Sequence, residues 1–315
     1  SRRITRELGA LTEGAERLAR GELDTRVPVR SRDEVGRLGD AFNRMAHELR
    51  ENQDRLLAQE RLRKELEMGR RIQEEMLPRD PLRVSFAEVK GVSIPAREVG
   101  GDFFNYFTLP GGEAALLVGD VSGKGVAAAL LMANLQATLR ARLPLERDLR
   151  ALAAALDDEI AGASGGGLYL TLFLSVLDPA GSMRYVNAGH NMPFVLHPDG
   201  RTEALEPTGR PLGLLAGGGY EEGRVALEGG ASLFLYTDGV VESEDASGEP
   251  FGLERLRELL VRERTSGLDG ILSRVEEAVR AFRAGAEPAD DATMVVLRVA
   301  GRLAEAAEEP RPSRL

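Results

Sequence analysis

Cysteine is absent from all 315 residues, so the chain can build neither a disulfide framework nor a thiolate metal site, and a reducing compartment is compatible with it. Tryptophan is absent too. No run of about 18 apolar residues occurs, and the opening "SRRITREL" lacks the apolar core of a signal peptide. The chain as given is expected to be soluble. Positive charge is in deficit, with 41 Lys and Arg against 51 Asp and Glu and a net charge of -10. That leaves no electrostatic footprint for nucleic acid, and no nucleic-acid partner is expected. The chain is 43% hydrophobic, enough for one well-packed core with smaller units beside it, so two or three domains are expected.

What is present first is helical periodicity, which covers residues 1–77 almost throughout. Ile4, Leu8, Leu11, Ala15 and Leu18 fall on one helical stripe. "RGELDTRVPVRSRDE" interrupts it: Gly21 stops the helix, Pro28 forbids an ordinary continuation, and Leu23 and Val27 are apolar anchors in the gap. A second stripe runs through Val35, Leu38, Phe42, Met45 and Leu49. Two such helices joined by an extended connector need partners, and a parallel dimeric four-helix bundle supplies them. Beyond Leu49 the seam continues through Asn52, Leu56 and Gln59, then resumes out of step at Leu62 and Leu66. A phase break of this kind unsettles a supercoil, and Gly69 weakens the helix by about 1 kcal/mol relative to alanine. The segment reads as a coupling rod that ends at "MLPRDP", with Pro78 and Pro81 as stops.

"RGELDTRVPV" followed by "SRDEVGRLGDAFNRMAHEL" resembles a HAMP domain, the relay that follows the last membrane helix of bacterial receptors. One departure is that no proline follows Ile4. The resemblance implies a homodimer through HAMP and coiled coil, and a place for this chain as the cytoplasmic portion of a membrane protein, behind an upstream transmembrane helix. Arg2 and Arg3 would then lie beside the inner membrane face. An ordinary amphipathic helix pair in a coiled coil is the alternative that spacing alone leaves open.

From about Leu82 glycines, short apolar runs and β-branched residues replace the heptads. "AALLVGD", "YLTLFLSVLD", "MRYVNAG", "PFVLHPDG", "ASLFLYTDG" and "TMVVLRV" read as strands. "GVAAALLMANLQATLRARL", "ERDLRALAAALDDEIAGA", "GLERLRELLVRE" and "LDGILSRVEEAVRAFRA" read as helices. Strands in successive pairs with helices segregated between groups predict an α+β sandwich of antiparallel sheets. After Ala300 periodicity is lost and a frayed tail is expected.

Acids stand at the ends of these strands. Asp120 ends "AALLVGD", Asp238 ends "ASLFLYTDG", Asp290 and Asp291 precede "TMVVLRV", and Asp102 sits in "GGDFF". Carboxylates so delivered repel one another unless a cation lies between them. Oxygen-only ligands suit Mg²⁺ or Mn²⁺ rather than zinc. Taken singly, each Asp is more simply a turn former or helix cap; the four segments together favour the metal.

"VGGDFFNYF" comes close to the GGDEF signature of a nucleotide cyclase, but Phe103 stands where that site needs a second acid, and only about two dozen residues separate the rod from Gly100. "GDVSGKG" is one residue short of a phosphate-binding P-loop, with Gly125 in place of its Ser or Thr. "GASGG" around Ser164 follows a helix rather than a strand, which argues against a nucleophile elbow and for a flexible loop. No phospho-acceptor histidine with an ATP-binding domain is found. His190 in "NAGHNMP" is read as a structural turn residue before a catalytic acid, and His47 and His197 as surface residues.

In order, "GGDFFNYF", "GDVSGKGVAAALLMA", "YLTLFLSVLDP", "YVNAGHNMPFVL", "LFLYTDGVVES" and "DDATMVVL" resemble the SpoIIE/RsbU group of metal-dependent serine/threonine phosphatases, relatives of PP2C, over about residues 68–299. "RRIQEEMLP" is similar to the linker that enters that domain. The resemblance implies a PP2C-like αββα sandwich of two antiparallel sheets, preceded by a HAMP helical bundle at 1–50 and a coiled-coil linker at 51–78. The phosphatase domain would span 79–300, with a disordered tail at 301–315. It implies two Mn²⁺ or Mg²⁺ ions held by Asp102, Asp120, the Val121 carbonyl, Asp238 and Asp290, with Asp291 as the alternative to Asp290. A water on the metals, held by Asp120 and Asp238, would attack phosphorus in line. Asn105 stands where many members carry a second Asp, which leaves a third metal unsupported. The implied partner is a phosphorylated STAS-domain anti-anti-sigma protein, whose dephosphorylation controls a sigma factor. Leu62, Leu66 and Gly69 on the rod, with Val126 and Leu130 on the helix after Asp120, are the expected regulatory positions. A catalytically inactive HAMP-linked adaptor that acts by binding is the alternative function.

Overall fold

Apolar stripes and strand alternation come together in a computed structural model that describes residues 2–28, 33–96, 99–164, 167–215, 217 and 219–301. The chain divides into two compact units, Ser1–Met68 and Gly69–Leu315. In the first, α1 (Arg2–Ala19) and the start of α2 (Glu34–Met76) carry the expected stripes. Gly21 adopts a φ of 88° just past α1 and ends that helix. The connector is pinned to α2 by Asn43, whose Nδ2 donates to the Val27 carbonyl at 2.9 Å while its Oδ1 accepts from the Val27 N–H at 2.9 Å. Val27 packs so closely on α1 that a Cβ built on Gly14 would lie 2.5 Å from Val27 Cγ2. The buried face of α2 is Gly36, Gly39, Phe42 and Ala46, whereas Ile4, Leu8, Leu38, Met45 and Leu49 remain exposed within one chain. The expected stripe is therefore split, with Phe42 turned to the connector and the larger aliphatic residues exposed.

α2 runs on without interruption to Met76, as the prolines require, and its rod residues Leu56, Leu62, Met68 and Ile72 are exposed. Its last turns, from Gly69, belong to the second compact unit. That unit continues with β1 (Leu82–Val84), β2 (Ala87–Ile94), β3 (Asp102–Thr108), β4 (Ala114–Val121), α3 (Val126–Arg142), α4 (Leu149–Ser164), β5 (Leu170–Leu177), β6 (Ser182–Ala188) and β7 (Phe194–Leu196). It ends with β8 (Thr202–Ala204), β9 (Gly223–Ala226), β10 (Ser232–Tyr236), α5 (Asp238–Val241), α6 (Leu253–Glu263), α7 (Leu268–Arg283) and β11 (Ala292–Val299).

Two antiparallel sheets result, in the orders β1-β2-β11-β10-β7-β8 and β3-β4-β5-β6-β9. Three apolar layers hold them. Phe104, Val118, Phe173, Leu235 and Val295 fill the space between the sheets. Met132, Leu139, Leu152 and Leu156 of α3 and α4 cover the second sheet, and Leu256, Leu260, Ile271 and Val275 of α6 and α7 cover the first. This is the αββα sandwich. Strands β1, β2, β3, β8 and β9 were not among the sequence candidates; β3, which carries Asp102, is buried on both faces and so shows no alternation. The flexible loop expected at "GASGG" is corrected over its first three residues, which continue α4 to Ser164 because the helical run before them carries on to the first unmistakable helix breaker, the Gly165–Gly166 pair. Gly165, Gly166 and the tail beyond Gly301 lie outside the described residues, as do the side chains of Arg2 and Arg3.

Candidate metal centre

Alternation along β3 and β4 decides which way the first two acids face. Residues Phe104 and Tyr106, two and four along from Asp102, line the layer between the sheets, so Asp102 shares that face. The β3–β4 register sets Asp102 directly opposite Asp120. Two carboxylates in such a pair repel. The other sheet answers them through Thr237, at the end of β10. Its hydroxyl donates to Asp102 Oδ2 at 2.6 Å, accepts from the Thr293 N–H at 2.9 Å, and so ties the sheets together at the site.

Asp238 does not end a strand, as the sequence reading had it, but opens the single turn α5. Gly239 follows because the Asp291 carbonyl occupies the space where a Cβ would stand. Asp291 accepts a hydrogen bond from the Ala96 N–H at 2.8 Å, and its carboxylate packs on Gly100 so tightly that a side chain there would overlap it. Asp290 is more open: its side chain is 46% exposed and pairs with Lys124 Nζ at 2.7 Å.

Asp120, Asp238, Asp290 and Asp291, with Val121 and Lys124, surround one cavity of ≈ 190 Å³. Asp102 lines a neighbouring cavity of ≈ 50 Å³. The β3–β4 hairpin, the turn α5 and the segment before β11 thus bring every carboxylate that the sequence singled out to these two neighbouring cavities. Burial pushes up Asp102, Asp120, Asp238 and Asp291. Asp102 rises well above the usual carboxylate range, with Asp120 as the next cause. Asp120 is pushed up to about 7, with Asp238 adding to the effect of burial.

The donor set fits a hard divalent cation. Its carboxylates resist ionisation side by side, and Val121, whose carbonyl oxygen a Cβ on Gly101 would approach to 2.6 Å, lines the same cavity. Among the described residues no three of these acids already converge on one point. Instead they ring a space with room for ions that keep part of their water shell, as Mg²⁺ does.

The glycines of "GDVSGKG" take φ of 86° at Gly123 and 88° at Gly125, conformations that L side chains disfavour. They turn the chain from Asp120 into α3 and bring Lys124 to the cavity wall, where it also donates to the Ala289 carbonyl at 2.9 Å. Lys124 and Thr237 were missed by sequence reasoning; the only signal was their place inside motifs already quoted. Asn105 faces away from the acids and donates to Gln136 on α3 at 2.7 Å. Val126 and Leu130 are exposed on α3 and do not line the cavity, while Gly69 lies 3.4 Å, at its Cβ position, from Val99.

His190 is buried, with Nδ1 2.8 Å from Thr171 Oγ1. Burial lowers its pKa to about 4, so it is neutral near pH 7, and it does not line the cavity. The structural reading of His190 agrees with this placement. His47 is exposed beside Glu51. His197 corrects the sequence reading: it is buried, with Nδ1 3.0 Å from Glu228 Oε1, because the β7–β8 turn folds it inward.

The family described as stage II sporulation protein E (SpoIIE) matches residues 110–300, and the HAMP domain matches residues 1–51. Protein IcfG of Synechocystis is 30% identical over 91% of this chain and 50% of its own length. The phosphoserine phosphatase RsbU of Bacillus subtilis is 23% identical over 76% of this chain and 71% of its own. The chain therefore spans only half of IcfG. The SiaA-PP2C domain of Pseudomonas aeruginosa shares the fold, with a TM-score of 0.64, 21% identity and coverage of 76% of this chain and 98% of that one. The matched span covers more than half of the chain, which belongs to the SpoIIE family and carries that family's PP2C-type phosphatase domain behind a HAMP domain.

Proposed function

We propose that this chain hydrolyses phosphoserine or phosphothreonine in a protein, with two Mn²⁺ or Mg²⁺ ions, as the cytoplasmic output of a membrane receptor. The observation that carries the reading is the ring of Asp120, Asp238, Asp290 and Asp291 around one cavity, with Asp102 directly behind it. RsbX, a solved structure that shares the fold with a TM-score of 0.55 and 13% identity, is in complex with magnesium. Asp102, Asp120, Asp238, the Val121 carbonyl and either Asp290 or Asp291 would hold the ions. When bound, such ions supply an activated water and neutralise phosphoryl oxygens, the two needs of a bond that is among the slowest to hydrolyse.

The chain's own residues do the rest. Thr237 holds Asp102 in one orientation. Lys124 places a cation at the cavity wall, where it can exchange Asp290 for a phosphoryl oxygen. His190, neutral and outside the cavity, is not assigned proton transfer to the leaving group.

The substrate that fits the family is a phosphorylated STAS-domain anti-anti-sigma protein, so that turnover would act on a sigma factor. Dimerisation through HAMP and the rod would bring the signal to Leu62, Leu66 and Gly69, and Val126 and Leu130 on α3 would respond. No described helix is long and apolar enough to cross a membrane; in this reading the membrane link would come through the HAMP domain. The test is phosphate release from a phosphoserine STAS protein, with and without Mn²⁺ or Mg²⁺, by wild type and Asp120→Asn. Metal-dependent turnover that Asp120→Asn abolishes is expected. Absence of turnover with either metal would move the chain to the inactive-adaptor reading.

A further inference from the structure

The last turn of α2 carries a glutamine in contact with the backbone that builds the acid ring. Gln73 Nε2 donates to the Gly100 carbonyl at 3.0 Å, and Gln73 Oε1 accepts from the Gly100 N–H at 3.2 Å. One carboxamide therefore satisfies both polar groups of a single residue. Such a two-point contact fixes position and orientation where one bond would fix only distance.

Gly100 lies at a junction. Its Cα faces the Asp291 carboxylate without space for a side chain. Gly101 accepts a hydrogen bond from the Val121 N–H at 3.3 Å and lies against the Val121 carbonyl. Asp102 is the next residue. A shift of the 100–101 backbone would thus move Asp102 and disturb Asp291 and the Val121 carbonyl together. Gln73 also lines the ≈ 50 Å³ cavity that Asp102, Met132 of α3 and Asp291 share.

Within the metal-dependent reading given above, we propose that Gln73 is a positioning residue: its carboxamide clamps the Gly100–Gly101 backbone and so sets the metal ligands in register with the end of α2. Rotation or withdrawal of that helix by about one residue would break the clamp, since successive residues on a helix point about 100° apart. The switch is then a hydrogen-bonded pair rather than a change of ligand.

The test uses the full chain with Gln73→Ala and Gln73→Glu, and with Arg70→Ala as control, because Arg70 lines the same cavity but bonds Glu74 instead of Gly100. Three quantities are read: amide exchange at residues 99–102 in metal-free protein, Mn²⁺ affinity by titration calorimetry, and melting temperature. Gln73→Ala is expected to speed exchange at Gly100 and to weaken Mn²⁺ binding by roughly tenfold, the lower end for loss of a group that orients ligands. Gln73→Glu keeps the acceptor for the Gly100 N–H but loses the donor, and should retain part of the exchange protection. Arg70→Ala should match wild type in all three.

A clamp that only seals the helix end would lower the melting temperature and leave Mn²⁺ affinity unchanged, which overturns the proposal. Equal weakening by Arg70→Ala also overturns it. If wild type turns over phosphoserine and both Gln73 variants bind Mn²⁺ and exchange as wild type does, this inference fails and the phosphatase reading stands. If wild type has no turnover yet Gln73→Ala loosens Gly100 and Mn²⁺ binding, the phosphatase reading fails and the positioning role stands.

Discussion

Asp120 is the residue at which stability and function oppose each other. Its folded-state pKa of about 7 stands above the ordinary 3.8 because burial and Asp238 disfavour the charge. The folded, metal-free protein therefore holds this proton more tightly than the unfolded chain does. The stability gained this way is complete below about pH 4 and is lost as pH rises towards about 7. Asp120→Asn removes the charge, so the metal-free variant should melt a few °C above wild type at pH 8, with a flatter dependence between pH 4 and 7, while losing Mn²⁺ binding. Calorimetry across that range checks both. Gly101 makes the complementary case. A methyl there would sit 2.6 Å from a backbone oxygen that cannot rotate away, so Gly101→Ala should lower Mn²⁺ affinity at least about tenfold, the scale seen when groups that orient a metal site are disturbed. Titration calorimetry measures it.

At the scale of elements, the connector between α1 and α2 depends on one side chain. Asn43 pairs with both polar groups of Val27, and its removal leaves a half-buried N–H and C=O without partners. Asn43→Ala is expected to destabilise the HAMP unit by about 1–3 kcal/mol, read as an earlier unfolding step in helical circular dichroism. Asn43 was quoted within "DEVGRLGDAFNRM", yet its role was not legible, because the residue it serves is sixteen positions away. The rod differs. Its continuity and its stop after Met76 were legible from spacing and the two prolines, since these signals act locally. Gln73 reads in the sequence as one more polar residue on a charged helix, and only the path of residues 99–102 gives it a partner.

At the scale of the molecule, Leu49, Leu56 and Leu62 lie exposed along one helix within a single chain, the pattern of a seam awaiting a second copy. The 34.1 kDa chain should sediment as a dimer, and the triple change of these leucines to glutamate should give a monomer by analytical ultracentrifugation. The sandwich itself combines local and distant information. Asp102 and Asp120 belong to one hairpin, whereas Asp238, Asp290 and Asp291 arrive from the other sheet more than a hundred residues later.

The sequence by itself determined the helical stripes, the sandwich class and the identity of the acids, because periodicity, glycine and proline act over a few residues and motifs keep their order. Only the tertiary structure decided which acids face one another, that Lys124, Thr237 and Gln73 join them, and that His197 is inside. Those outcomes rest on strand register and on the packing of two sheets, where a one-residue slip turns every side chain to the opposite face.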